Sequence, residues 1–346
     1  MDEKKGKSLK QFWNHKKVFI TGATGFIGSW LSLRLLELGA NITILHYQDH
    51  LESPLLEISE SSQLRKIIGD ITDELLLKKI FFSESFDVVI HLAAKTQVID
   101  AINDPLSFFD VNVRGTYFLL EAYRLSDQRC EAILIASTDK VYGSQSCFPF
   151  TEQSPLLAKY PYESSKVCLE QIALSYFHSY HLPIVITRSA NVFGGGDFNW
   201  NRLIPSVIKN LHFDEPITLR SSGNNLRDYI FVEDVVQAYL QLGCRVEEKK
   251  LAGEIFNISA HSPKTALEIV DTILKLAKKE SHEIKILSQN DYEIDHQIIS
   301  SDKIKNIIGF EAQFPLELSL ELTIDWYLLY FDQKRKASYA LSHHRS

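Results

Sequence analysis

The chain has 346 residues, 45% hydrophobic and 23% charged, the make-up of a globular protein with one large or two coupled domains. Its 37 basic and 44 acidic side chains leave a net charge of −7, which argues against a nucleic-acid partner. The first twelve residues lack the apolar core of a secretory signal, and no apolar stretch reaches the length of a membrane span, so a cytoplasmic protein without a membrane partner is expected.

Short apolar strands alternate with helical stretches through the first half, the pattern of a parallel sheet covered on both faces. Strands are expected at 18–21, 41–45 and 66–68, with a helix at 26–38 that stops at Gly39. A helix over 73–82 leads to strand 87–92, a run built on Val88-Val89-Ile90 and suited to burial on both faces. A long helix over roughly 105–126, a strand at 132–136, a second long helix at 162–181 and a strand at 184–187 complete the regular part.

Beyond residue 190 the alternation breaks. Gly194-Gly195-Gly196 reads as a flexible loop, Arg227–Val232 leads into a helix at 233–242, and 254–258 is a strand. Helices follow over 262–279 and 316–330, and the residues from 333 on read as a frayed basic tail. The expected architecture is α/β: a Rossmann-type doubly wound parallel sheet with a smaller mixed α/β substrate-binding lobe. Residues 1–187 form the first unit, with 232–258 returning to it. Residues 188–231 and 259–332 form the second, and 333–346 the tail.

Gly22, Gly25 and Gly28 follow the first strand and open the first helix. One glycine permits the tight turn, one lets backbone approach a pyrophosphate, and one lets helix press on sheet. The helix N-terminus offers free N–H groups to phosphate. A dinucleotide is therefore expected on Gly22, Thr24, Gly25, Phe26, Ile27 and Gly28. The second strand ends Leu45-His46-Tyr47, with Asp49 slightly late and no arginine to meet a 2′-phosphate, so NAD is preferred to NADP. Asp70, beside Ile71, reads equally as an adenine contact or a turn aspartate.

Tyr162 and Lys166 are four apart on one helix and share a face. A phenol with a pKa of about 10 is a poor base at neutral pH; a nearby ammonium favours its phenolate. Upstream, Ser137-Thr138-Asp139-Lys140 supplies hydroxyl, acid and amine. The bland reading of Asp139 and Lys140 is a strand-end ion pair.

In this order the motifs resemble the extended short-chain dehydrogenases/reductases, the family of nucleotide-sugar epimerases and 4,6-dehydratases. The likeness runs from about Lys17 to Tyr330 and includes His91-Leu92-Ala93-Ala94, Asn112–Thr116, Arg227–Asp234 and Thr323–Tyr327. The segment Ser137–Tyr142 resembles the dehydratase active-site strand, whereas epimerases usually lack an acid–base pair there. Ser29–Leu33, Asn191–Asp197 and Arg202–Pro205 resemble the CDP-glucose 4,6-dehydratases in particular. Arg227–Phe231 and the loop His46–Glu57 depart from that group, which leaves nucleotide and sugar open.

The resemblance implies C4 oxidation of a nucleotide-diphosphate hexose, loss of water across C5/C6 and reduction at C6. Tyr162 would be the C4 base, Thr138 its hydrogen-bonding partner and Asp139 the acid at C6. Lys166 would tune Tyr162 and bind the nicotinamide ribose. Lys140 stands where many relatives carry a glutamate base, and is either the C5 base or a stabiliser of the enolate. Leu92, Ala93 and Ala94 would line the cofactor. Thr96, Asn191, Arg202 and Arg227 would hold sugar and diphosphate. The two long helices imply a homodimer. An epimerase is the rival of the same fold; a non-catalytic NAD-binding regulatory or scaffold protein is the rival from another class.

Cys130, Cys147, Cys168 and Cys244 show no Cys-x-x-Cys spacing, and His178 and His181 have no neighbouring acidic or thiol partner, so no metal is expected and the cysteines read as reduced structural thiols.

Overall fold

The computed structural model describes residues 8–47, 53–57, 61–288 and 296–343, so Asp49 lies outside the described residues. Its strands are β1 Lys17–Thr21, β2 Asn41–His46, β3 Leu64–Ile68, β4 Val88–His91, β5 Ala132–Thr138, β6 Ile184–Ser189, β7 Asn191–Phe193, β8 Ile217–Leu219, β9 Leu226–Phe231, β10 Ile255–Ile258, β11 Pro263–Thr265 and β12 Ile284–Ile286. Seven of them form one parallel sheet in the order β3-β2-β1-β4-β5-β6-β10. The architecture is the doubly wound α/β sheet that the alternation of strands and helices implies.

The twofold period of β1 explains both apolar layers. Val18 and Ile20 face one side, with Leu31 and Leu35 of the helix Phe26–Glu37 and Val235 and Tyr239 of the helix Val232–Gly243. Phe19 faces the other, with Phe81 of the helix Glu74–Ser83, Leu119 of the helix Gly115–Leu125 and Leu169 of the helix Pro161–Tyr180. The chain steps from β1 outward to β3, then returns to β4 on the opposite side of β1. The carboxyl ends of β1 and β4 therefore diverge at a switch point, where open sheets of this kind take ligands.

A smaller lobe holds the three-stranded sheet β11-β9-β7 and the pair β12-β8. Its core of Phe193, Val207, Ile273, Leu320 and Tyr327 lies under the helices Leu203–Phe213, Ala266–Leu276 and Leu316–His343.

Three elements differ from the sequence reading. The Gly194–Gly196 run is buried, not a free loop. Trp30 Nε1 donates to the Gly195 carbonyl at 2.7 Å, Tyr327 Oη donates to the Asp197 carbonyl at 2.6 Å, and the Trp326 ring occupies the space a Gly195 side chain would need. Gly194 and Gly196 are likewise closed in, by Val232 and Pro54, and the corner joins the first helix of the large sheet to the last helix of the chain. The helix expected from Ser262 starts at Ala266, because Pro263–Thr265 pairs with β9 and a Thr265/Glu268 capping box opens the helix. The final helix runs to His343, through most of the segment read as tail. All four cysteines are free, but Cys147 and Cys168 are exposed, not structural core thiols.

Candidate active site

The glycine turn packs into the switch point. Gly22 has φ +71°, and a β-carbon there would stand 2.6 Å from the Ala93 nitrogen of the chain leaving β4. Gly28 has no room either, since its β-carbon would collide with the Gly22 carbonyl. A β-carbon on Gly25 would meet only that same carbonyl, at 3.3 Å, so this glycine is the one that leaves space open. Gly25 is also the N-cap and gives no side-chain hydrogen bond to the first turn, Phe26-Ile27-Gly28. This cradle fits a dinucleotide pyrophosphate. Thr24 is buried beside it, and Ile71 packs against Gly115. Asp70 forms an Asx turn, its Oδ1 accepting from Thr72 N at 2.8 Å and Thr72 Oγ1 at 2.9 Å.

The reacting cluster stands where β5 ends. Thr138 caps the single turn Asp139–Tyr142, and its hydroxyl donates to Asp139 Oδ1 at 3.2 Å. The same hydroxyl favours the ionised form of Tyr162. The Thr138 proton can turn from Asp139 to the phenolate when Tyr162 ionises. Burial pushes the Tyr162 phenol up to about 12, opposed by the Thr138 hydroxyl and by the Arg202 cation. The ring lies edge-on to Phe108 at 6.4 Å.

Lys166 Nζ donates to the Ala136 carbonyl at 2.9 Å, and burial brings it down to about 8. Arg202 is a cation that favours the phenolate. The helical spacing rightly set both side chains on one face but could not see the competing carbonyl at the end of the neighbouring strand.

Arg202 donates to Asp197 at 2.9 Å and to Thr96 Oγ1 at 3.5 Å, which brings together the expected sugar-side residues Thr96 and Arg202. Lys140 Nζ lies 3.6 Å from Asp139 Oδ1, 3.3 Å from Asn191 Oδ1 and 3.5 Å from Gln297 Oε1. Arg227 pairs across a bridge with Gln297, so it adjoins this group through backbone. Asp139 Oδ2, Asn191 Nδ2 and Gln297 Nε2 are buried with no hydrogen-bond partner. Gln297 carries no motif, and nothing in the sequence marks it.

The family model described as GDP-mannose 4,6 dehydratase matches residues 19–323. The dTDP-D-glucose 4,6-dehydratase of Bos taurus is 32% identical over 336 residues, covering 94% of this chain and 92% of its own. That of Shigella flexneri is 31% identical over 340 residues, covering 90% and 92%. The chain belongs to the extended short-chain dehydrogenase/reductase family, among the nucleotide-sugar 4,6-dehydratases. Among solved structures it is similar to DesIV, the dTDP-glucose 4,6-dehydratase of Streptomyces venezuelae solved with NAD bound, with TM-score 0.82, 26% identity and coverage of 90% and 96%. It is also similar to the epimerase Mth375 of Methanothermobacter thermautotrophicus, with TM-score 0.86, 28% identity and coverage of 95% and 96%.

In this dehydratase a buried polar chain ties the Tyr162 helix to β1. Asn112 sits in a π-helical turn, Asp110–Arg114, within the helix expected over 105–126. Its Nδ2 donates to Ser165 Oγ at 2.9 Å, and Ser165 donates to the Tyr162 carbonyl at 2.6 Å. Thr116 Oγ1 donates to the Asn112 carbonyl at 2.6 Å, so His91 Nε2, 3.0 Å away, must donate to Thr116. That fixes the neutral Nε2–H tautomer, with Nδ1 accepting from Thr21 Oγ1 at 2.7 Å.

Burial, with the Lys166 charge, lowers His91 to about 3 from 6.5. Between those values the unfolded chain binds more protons than the folded one, so this group makes stability fall as pH drops from 6.5 toward 3. Urea unfolding across that window is expected to show a shallower acid slope for His91→Gln than for the unaltered enzyme; equal slopes would contradict a neutral, buried His91.

On the far side of β5, Ser137 donates to Glu170, which holds Arg188 in two bonds of 2.9 and 2.6 Å. Ser137 therefore braces the sheet, leaving Thr138 as the hydroxyl of the site.

Proposed function

We propose that the chain converts a nucleoside-diphosphate glucose, dTDP-glucose first among them, to the 4-keto-6-deoxy sugar with NAD as cofactor. The observation that carries this reading is Asp139. It is a buried carboxyl with one unpartnered oxygen, set directly beyond the Thr138–Tyr162 pair. Oxidising and re-reducing one alcohol needs no such acid; expelling a hydroxide as water does.

NAD, when bound on Gly22–Gly28 and Leu92–Ala94, supplies a two-electron oxidant that is restored within the turnover. Tyr162 Oη takes the C4 hydroxyl proton, and Thr138 donates to that oxygen as charge develops on it. The C4 ketone acidifies the C5 proton, which a base removes while Asp139 gives its own proton to the departing C6 hydroxyl; water leaves and the hydride taken from C4 returns to C6. Arg202, Arg227 and the Asn191 amide present donors for the sugar diphosphate. The large sheet is the cofactor unit and the smaller lobe the substrate unit. The same reading carries a homodimer through the helices around 105–125 and 161–180, where Leu106, Leu125 and Tyr180 are exposed.

The test is mass spectrometry of dTDP-, CDP-, UDP- and GDP-sugars incubated with the purified enzyme. Loss of one water from dTDP-glucose is expected. Preference for CDP-glucose would instead favour the likeness of Ser29–Leu33 and Asn191–Asp197 to that group. An isomer of unchanged mass would mean an epimerase, and no change in any sugar a non-catalytic NAD-binding protein.

A further inference from the structure

We infer that Gln297 is a positioning residue for the dehydration: with Asn191 it fixes the Lys140 ammonium beside Asp139. The inference rests on the dehydratase reading above and adds to it a residue from a distant segment.

Lys140 Nζ faces three oxygens from three parts of the chain. Asn191 Oδ1 comes from β7, Gln297 Oε1 from the segment behind β9, and Asp139 Oδ1 from the end of β5, at 3.3, 3.5 and 3.6 Å. An ammonium has three N–H donors and no acceptor, and three oxygens face this one. Gln297 cannot drift. Its N–H donates to the Leu226 carbonyl at 3.0 Å, its carbonyl accepts from Asp228 N at 3.0 Å, and it is 1% exposed. Asn191 is likewise held in β7, paired with Tyr229.

Both amides turn their oxygen to the lysine, which leaves Asn191 Nδ2 and Gln297 Nε2 buried and unpartnered alongside Asp139 Oδ2. Unmatched buried polar atoms are uncommon in folded proteins. Three gathered round one ammonium are capacity for a polar ligand, and the oxygens of a sugar and its diphosphate supply that chemistry. Lys140 accordingly acts in elimination as a cation fixed beside Asp139, the acid at C6.

The experiment compares Gln297→Met, which removes the acceptor at similar length, with Gln297→Glu, which keeps an oxygen there. Both are screened by circular dichroism and melting. For Gln297→Met, kcat is expected to fall about 10–100-fold, as for other losses of positioning, with KM little changed. The nucleotide 4-ketohexose that has not lost water should accumulate in acid-quenched turnovers, because C4 oxidation does not use Lys140. Gln297→Glu should recover most of kcat. An unchanged kcat, a rise in KM alone, a loss of kcat without ketone accumulation, or failure of Gln297→Glu to recover would each overturn the inference. A wild-type enzyme that dehydrates no nucleotide sugar would take down the dehydratase reading and this inference together; an active wild type with an equally active Gln297→Met variant removes only the latter.

Discussion

Replacing Tyr162 with phenylalanine is expected to lower kcat by about 10²–10⁴-fold, the usual worth of a positioned general base. The substitution removes one oxygen and keeps the ring that lies on Phe108 and closes the small cluster with Val98 and Ala101. Melting temperature and nucleotide-sugar affinity should therefore stay near their wild-type values. The chemistry cannot survive, because nothing else in the cluster takes the C4 proton. Thr138 has only a hydroxyl to offer, and Lys166 is turned to the Ala136 carbonyl. The effect should fall on the first step, so quenched mixtures should contain neither the 4-ketohexose nor the dehydrated sugar. Stopped-flow or quenched turnover under saturating sugar reads this directly. If the phenylalanine variant turns over at the normal rate, Tyr162 is not the base and the alcohol-oxidising half of the mechanism is wrong.

That step also shows where the sequence informs and where it stops. The glycine turn and the Tyr162/Lys166 spacing are local, so their geometry follows from a strand, a turn and a helix read in order. The return of β10 to the large sheet was likewise legible, since its apolar run follows a helix with the right period. What chooses among partners is not local. Lys166 goes to a backbone oxygen 30 residues away, and Lys140 to an amide 157 residues away. No periodicity records either choice. Gly194–Gly196 looked free because glycine runs often are; the indole that occupies the space lies more than a hundred residues on, at Trp326. The start of the Ala266 helix was readable in Thr265-x-x-Glu268, but the preceding Ser-Pro drew the boundary too early.

The second large effect is expected from Asp139→Asn. Asparagine keeps the volume and can still meet the Thr138 hydroxyl, but it has no proton to give to a leaving hydroxyl. Dehydration should slow by about 10²–10⁴-fold, while C4 oxidation, which runs through Tyr162, continues. The two steps then separate: the 4-ketohexose nucleotide builds up in quenched samples and water loss becomes rate-limiting. Run in heavy water, the accumulated ketone reports on C5. Deuterium at C5 would mean that another group removes that proton, leaving Asp139 the C6 acid alone. Its absence would mean that one carboxylate serves both bonds, receiving the C5 proton and passing it to the C6 oxygen. Lys140 bears on the size of the loss, because Asp139 supplies the only carboxyl oxygen among its three described oxygen neighbours. An Asp139→Asn enzyme that makes no ketone at all would show that the carboxylate is needed before elimination begins. One that still releases the dehydrated sugar at the wild-type rate would remove the acid from the mechanism, and with it the strongest reason to read this site as a dehydratase.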